Sequence, residues 1–354
     1  MEKRTNKGAF MVGIDQMVIK ENIPMPVMTD KDVLIRIEYV GICGSDVHYF
    51  HDGKCGSFEI DRERDIPFML GHECAGTIVE VGKKVTGLSV GDRVCVEPGK
   101  TCGTCEFCKS GHYNLCPDVE FLATPPVQGC YMRYLAFPAD LCFKLPDTVG
   151  PKAGALIEPL ATGMYAASLG NVTVGHTVVI LGTGCIGLMT LLACKARGSS
   201  MVIACDLEDI RLEKAKELGA DFTVNCRKED VCREIRRLTK GRGPDIVFET
   251  AGSPVTIAMS PKIAKRGGLI VLVGMAAQSE IAFDFGEVMG KELQIKSLFR
   301  YVNMFPMTIA AVESGLIPVE KVATHEYTLD QIQQAFEDSI HRKNEVVKAV
   351  IRID

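Results

Sequence analysis

The chain has 354 residues, 47% of them hydrophobic, enough apolar content for two globular domains. A net charge of −5 and the lack of any polybasic block argue against a nucleic-acid or membrane partner. The fifteen cysteines are an odd number spread through a long chain, and its start, Met1-Glu2-Lys3-Arg4, leads into no apolar signal core. They point to reduced thiols and metal ligands in the cytoplasm rather than to disulfides.

Asp32 to Val40 alternates, with Val33, Ile35, Ile37 and Tyr39 on one face, and predicts a half-buried strand. Gly41-Ile42-Cys43-Gly44-Ser45-Asp46 reads as a turn, and the polar stretch from Asp52 to Pro67 as a surface loop. Gly71-His72-Glu73-Cys74-Ala75-Gly76 then sets a nitrogen and an oxygen donor side by side, with the Cys43 thiol upstream. Those are donor types that zinc accepts at a catalytic site, where one position stays open. Taken singly, His72 reads as a satisfied core histidine and Cys43 as a small buried residue. Gly76 to Val81 and Gly91 to Glu97 are further short β-rich runs, so the first 150 or so residues predict an irregular β domain with long loops.

Cys102, Cys105, Cys108 and Cys116 pack four thiols into 15 residues, interleaved with glycine and charge that suit a core poorly. Four thiolates make a closed tetrahedral site, hence a structural zinc. The flanks lack the basic cluster that a nucleic-acid-binding zinc module needs.

From about residue 160 the pattern changes. Thr177 to Cys194 runs 18 residues without charge but contains Gly182, Gly184 and Gly187, so it reads as a strand, a glycine turn and a helix (Leu188 to Ala196) rather than a membrane span. A strand from Met201 follows and ends in Asp206, 19 residues after Gly187. Glycines between strand and helix, with an acid closing the next strand, form the dinucleotide fingerprint. The pyrophosphate sits at the helix amino end. Asp206 would accept from the ribose hydroxyls and repel the 2′-phosphate of NADP, so NAD is favoured, with Arg211 as a cation able to offset that charge. Helices Leu207 to Leu218 and Glu229 to Lys240 and strands at Phe222, Asp245, Leu269 and Leu293 continue the alternation and imply a doubly wound parallel sheet, an α/β fold. A helix from Asp330 to His341 and a strand from Lys348 to Ile353 are read as returning to the β domain. The expected division is 1–160 with 298–354, and 161–297.

Gly71, His72, Glu73, Gly76, Gly82 and Val85 resemble the zinc signature of the medium-chain alcohol dehydrogenases. The likeness runs in order through Cys43, this signature, the four-cysteine lobe and the Rossmann glycines. Cys43-Gly-Ser45-Asp46-Val-His48-Tyr49, Ile157-Glu158-Pro159-Leu160-Ala161 and Phe299-Arg300-Tyr301 resemble the polyol branch, the sorbitol and xylitol dehydrogenases. Vertebrate members have lost most of the lobe that is intact here, which points to a microbial or invertebrate type.

The resemblance implies a GroES-like barrel beside the Rossmann domain, a catalytic and a structural zinc, and a homotetramer. It implies Cys43, His72 and Glu73 as zinc ligands, with Glu158 at the metal directly or through water. Asp46 would orient His72, Ser45 and His48 would pass the alcohol proton outward, and Tyr49, Arg300 and Tyr301 would face substrate hydroxyls. Cofactor contacts would come from Gly182, Gly184, Ile186, Gly187, Asp206, Arg211, Val273, Gly274, Met275, Leu298, Phe299 and Arg300. The reaction implied is oxidation of a polyol to a ketose with hydride passing to NAD. The same chemistry on butanediol or threonine, or a non-catalytic zinc and dinucleotide binder, are the other readings.

Overall fold

A computed structural model describes residues 4–61 and 63–354. Two compact units emerge: Met1–Glu158 with Phe305–Asp354, and Pro159–Met304. The return to the first unit thus comes at Phe305, later than the expected 298. The expected last strand, Gln294–Ser297, still belongs to the second unit, and so do Leu298 to Met304.

The first unit is built on a seven-stranded sheet. Its order is Cys142–Lys144, Arg93–Val96, Glu73–Val81, Asp32–Gly41, Ala349–Arg352, His325–Thr328, with Tyr134–Pro138 also on Asp32–Gly41. The Asp32–Gly41 strand departs from strict alternation. Register shifts at Leu34/Ile35 and Ile37/Tyr39 let two residues face one. The second shift brings Val40 into the core and turns Tyr39 outward, where it donates to Glu326; Leu34 is buried as well. The stretch after Gly41 is not merely a turn: Gly44–Asp52 is a helix, with Cys43 as its N-cap and the Asp46 carboxylate accepting from the Cys43 amide at 3.0 Å. Phe50 of this helix stacks on Phe336 of the Ile332–His341 helix at 4.8 Å between ring centroids, which anchors both to the core. The expected loop Asp52 to Pro67 carries one short hairpin, Lys54–Cys55 with Phe58–Glu59.

The second unit is a six-stranded sheet in the order Phe222–Asn225, Met201–Asp206, Thr177–Leu181, Ile246–Glu249, Leu269–Leu272, Gln294–Ser297, every pair parallel. This is the doubly wound dinucleotide-binding order. Two of its helices are shorter than the sequence pattern suggests, for local reasons. The Leu207 and Glu208 amides are taken by Asp206 Oδ1, so the next helix starts at Asp209 and runs to Glu217. The following one is Val231–Leu238, because the Asp230 carboxylate caps it by accepting from the Arg233 amide. The helix after the glycines starts earlier than expected, at Cys185. Among the described residues, no helix is long and apolar enough to cross a membrane.

Candidate active site

The first unit gathers Cys43, His72 and Glu73, whose donor atoms all lie within 4.8 Å of one another. Three elements meet here. Cys43 opens a helix, His72 precedes a strand, and Glu73 is the first residue of that strand, paired in register with Gly41. Asp46, fully buried, accepts from the Gly71 amide at 3.0 Å and faces His72 Nδ1 at 3.5 Å, which leaves Nε2 for a metal. Burial disfavours the imidazolium, but Asp46 and Cys43 outweigh it and hold the His72 pKa well above the usual value. Glu73 Oε2 pairs with Lys348 Nζ at 2.5 Å, while Oε1 is buried and has no hydrogen-bond partner among the described residues. An orphaned carboxylate oxygen beside a thiol and an imidazole suits a zinc ion with three protein ligands and an open position.

The four-cysteine lobe is equally specific. The Sγ atoms of Cys102, Cys105, Cys108 and Cys116 lie within 4.8 Å of one another, with Cys102 3.9 Å from Cys108 and 3.6 Å from Cys116. A tetrahedral zinc with Zn–S bonds of about 2.3 Å needs edges of about 3.8 Å. Backbone amides of Cys102, Cys105 and Cys108 point at the sulfurs of Cys116, Cys102 and Cys105. Donors from Thr104 and the Cys105 amide pull the Cys102 thiol down to about 6.

In the second unit the three glycines do three things. Gly182 turns the chain at φ +94°. Gly184 caps the Cys185–Ala196 helix, and a Cβ placed there would meet, among the described residues and its chain neighbours aside, no atom nearer than Arg211 Nη1 at 4.0 Å, which leaves room for a close-lying ligand. At Gly187 a Cβ would meet the Gly182 carbonyl oxygen at 2.0 Å, so only glycine lets helix and strand approach. Asp206 ends the next strand, buried, with Arg211 Nη1 4.0 Å from Oδ2.

Residues 29–147 match the alcohol dehydrogenase GroES-like domain and residues 185–314 the zinc-binding dehydrogenase domain. The chain is 43% identical to a sorbitol dehydrogenase of Bacillus subtilis, over 98% of this chain and 96% of that protein. The chain belongs to the zinc-dependent medium-chain alcohol dehydrogenases. A solved Escherichia coli oxidoreductase/dehydrogenase of unknown specificity matches this dehydrogenase with a TM-score of 0.94 and 43% identity, covering 99% of this chain and 100% of that one. The 2R,3R-butanediol dehydrogenase of Bacillus subtilis matches at a TM-score of 0.89 and 31% identity, covering 99% and 100%.

The other candidate residues of the dehydrogenase fall as follows. Glu158 is buried near the start of the Ile157–Leu169 helix but does not join the Cys43, His72, Glu73 set. Ser45 and His48 stand three apart on one helix and so share a face; His48 is exposed, its Nδ1 2.9 Å from Asp52. Tyr49 is buried, its ring edge-on to Phe68. In the second unit, the Val273 and Gly274 amides both donate to the Glu249 carbonyl, Met275 is exposed, and Ile186 is half-buried. Leu298, Phe299, Arg300 and Tyr301 follow the carboxyl end of the last parallel strand. The Arg300 guanidinium lies 4.8 Å over the Phe299 ring, and Tyr301 is buried.

Sequence reasoning missed four neighbours of these sites. Phe121 lies 5.5 Å from the His72 ring. Burial pushes the Cys55 thiol up to about 11, with the charges at Cys43 and Asp46 adding to it, so it stays neutral. Glu249, fully buried, accepts from the Ala251 and Gly252 amides and from the Thr256 hydroxyl. Lys348 is the fourth. A lone lysine at a strand start carries no pattern that would have marked it.

Proposed function

We propose that this dehydrogenase oxidises a secondary hydroxyl of a polyol, of the sorbitol or xylitol type, to the ketone with NAD. The observation that carries the reading is the clustering of the Cys43, His72 and Glu73 donor atoms within 4.8 Å of one another, in a chain 43% identical to a sorbitol dehydrogenase. Zinc bound there would act as a Lewis acid and lower the pKa of a substrate hydroxyl, and NAD would accept the hydride.

The chain's own residues do the rest. Asp46 fixes the His72 tautomer by accepting from Nδ1–H. Ser45 and His48, on one helix face, carry the released proton outward, with Asp52 holding His48 Nδ1. Glu158 serves the metal directly or through a water. Tyr49, Arg300 and Tyr301 bond substrate hydroxyls. Asp206 favours NAD by its charge more than by its acceptors. Oδ2 already takes the Thr183 amide and hydroxyl and Oδ1 the Leu207 and Glu208 amides, so a ribose hydroxyl displaces the Thr183 hydroxyl, the longest of the four at 3.1 Å.

Fifteen free thiols suit a reducing compartment, and on this reading the protein works in the cytoplasm as a homotetramer. NADH formation across sorbitol, xylitol, 2,3-butanediol, L-threonine and 2-propanol tests the reading. Turnover highest with a polyol supports it; butanediol or threonine ahead of every polyol replaces the substrate class, and no NADH from any alcohol leaves a non-catalytic binder.

A further inference from the structure

A buried cation stands beside the candidate catalytic donors, and none of the roles above uses it. Lys348 is 2% exposed and Glu73 1%. The ammonium donates to Glu73 Oε2 and, at 2.8 Å, to the carbonyl of Ile42, the residue before Cys43. It thus ties together the backbone at one proposed ligand and the carboxylate of another. Gly41 leaves the room for this: a Cβ there would fall 1.9 Å from Glu73 Oε2 and 3.2 Å from Lys348 Cε.

Stability does not explain such a pair, because a well-packed apolar replacement for a buried ion pair is often neutral or stabilising. Its geometry does more. A free carboxylate can offer either oxygen or both to a metal. Here one oxygen is taken by Lys348 and the other is buried without a hydrogen-bond partner among the described residues.

We propose that Lys348 is a positioning residue of the catalytic metal centre, holding Glu73 by Oε2 so that Oε1 alone is presented to the ion. The proposal rests on the zinc reading of Cys43, His72 and Glu73. Loss of a group that orients a metal ligand typically costs about 10–100-fold in metal affinity.

The test is zinc transfer to a chromophoric chelator from wild type, Lys348→Met, Lys348→Arg, Glu73→Gln and the Lys348→Met/Glu73→Gln double variant. The phase of release absent from Cys43→Ser reports the catalytic ion. Lys348→Met should weaken that phase about 10–100-fold. Lys348→Arg should restore most of it, and Lys348→Met should add nothing once Glu73→Gln is in place. Lys348→Gln keeps a donor without the charge; it gives a milder loss and a second measurement should the methionine variant not fold. Unchanged or tighter zinc in Lys348→Met, or the same loss with and without Glu73, would overturn the proposal. Wild-type protein with no Cys43-dependent zinc would instead remove the catalytic-centre reading, and this proposal with it.

Discussion

Asp206 has a structural duty that its place in the dinucleotide fingerprint hides. Its two oxygens clamp the turn at Thr183 and hold the Leu207 and Glu208 amides just ahead of the next helix. Asp206→Ser should therefore do two things. Activity with NADP should rise toward that with NAD, since the charge repelling the 2′-phosphate is gone. Stability should fall by about 1.5–3 kcal/mol, the worth of hydrogen bonds to a charged acceptor, read as a lower denaturant midpoint. Wild-type enzyme using both cofactors equally would show that Asp206 does not meet the ribose. Arg300 is a second residue with a substrate-dependent signature. Bonding to a substrate hydroxyl, it should cost about 1–3 kcal/mol in kcat/KM with polyols when replaced by alanine, and much less with 2-propanol. Equal losses on both would exclude hydroxyl reading.

Among the elements, the four-cysteine lobe is the most self-contained. Metal analysis should find two zinc ions per chain. Cys102→Ser/Cys105→Ser should keep one and unfold at lower temperature, because binding at a four-thiolate site contributes to folding. Retention of both ions by the double variant would refute the structural-site assignment. In the metal-stripped protein Cys102 should be the first thiol alkylated, with a midpoint near pH 6. Its pKa is lowered, so the thiolate is present above that value and lost as pH falls through it.

The lobe was legible in the sequence because its ligands are local. So were the Rossmann strands, whose apolar runs and glycines are local too. The Asp32–Gly41 strand was legible only as a strand. Its two register shifts depend on the partner Glu73–Val81, so the outward turn of Tyr39 has no signal in its own residues. The helices Pro254–Ile263 and Phe285–Lys291 went unread because Pro261 interrupts the first and glycines the second.

At the scale of the whole molecule, the sheet of the first unit takes strands from both ends of the described chain. Asp32–Gly41 pairs with Glu73–Val81 along one side and with Ala349–Arg352 on the other. Deleting residues 305–354 would leave a bare edge on a central strand and strip Phe336 from Phe50 and Tyr131. The remainder of that unit should lose its cooperative unfolding transition in a calorimeter, and a sharp transition from fragment 1–158 alone would contradict this. Of the candidate metal donors, His72 and Glu73 were legible because they lie in a family signature. Lys348 was not, since its partner lies 275 residues away.

That separation also sets a clock. At ribosomal rates of about 5–20 residues per second, roughly 14–55 s pass between the synthesis of Glu73 and that of Lys348. The four cysteines of the lobe emerge within about 1–3 s of one another. Zinc can thus join the lobe while the chain is still being made. The Cys43, His72 and Glu73 trio spends most of the chain's synthesis with its carboxylate unpaired, and its maturation belongs to the finished fold.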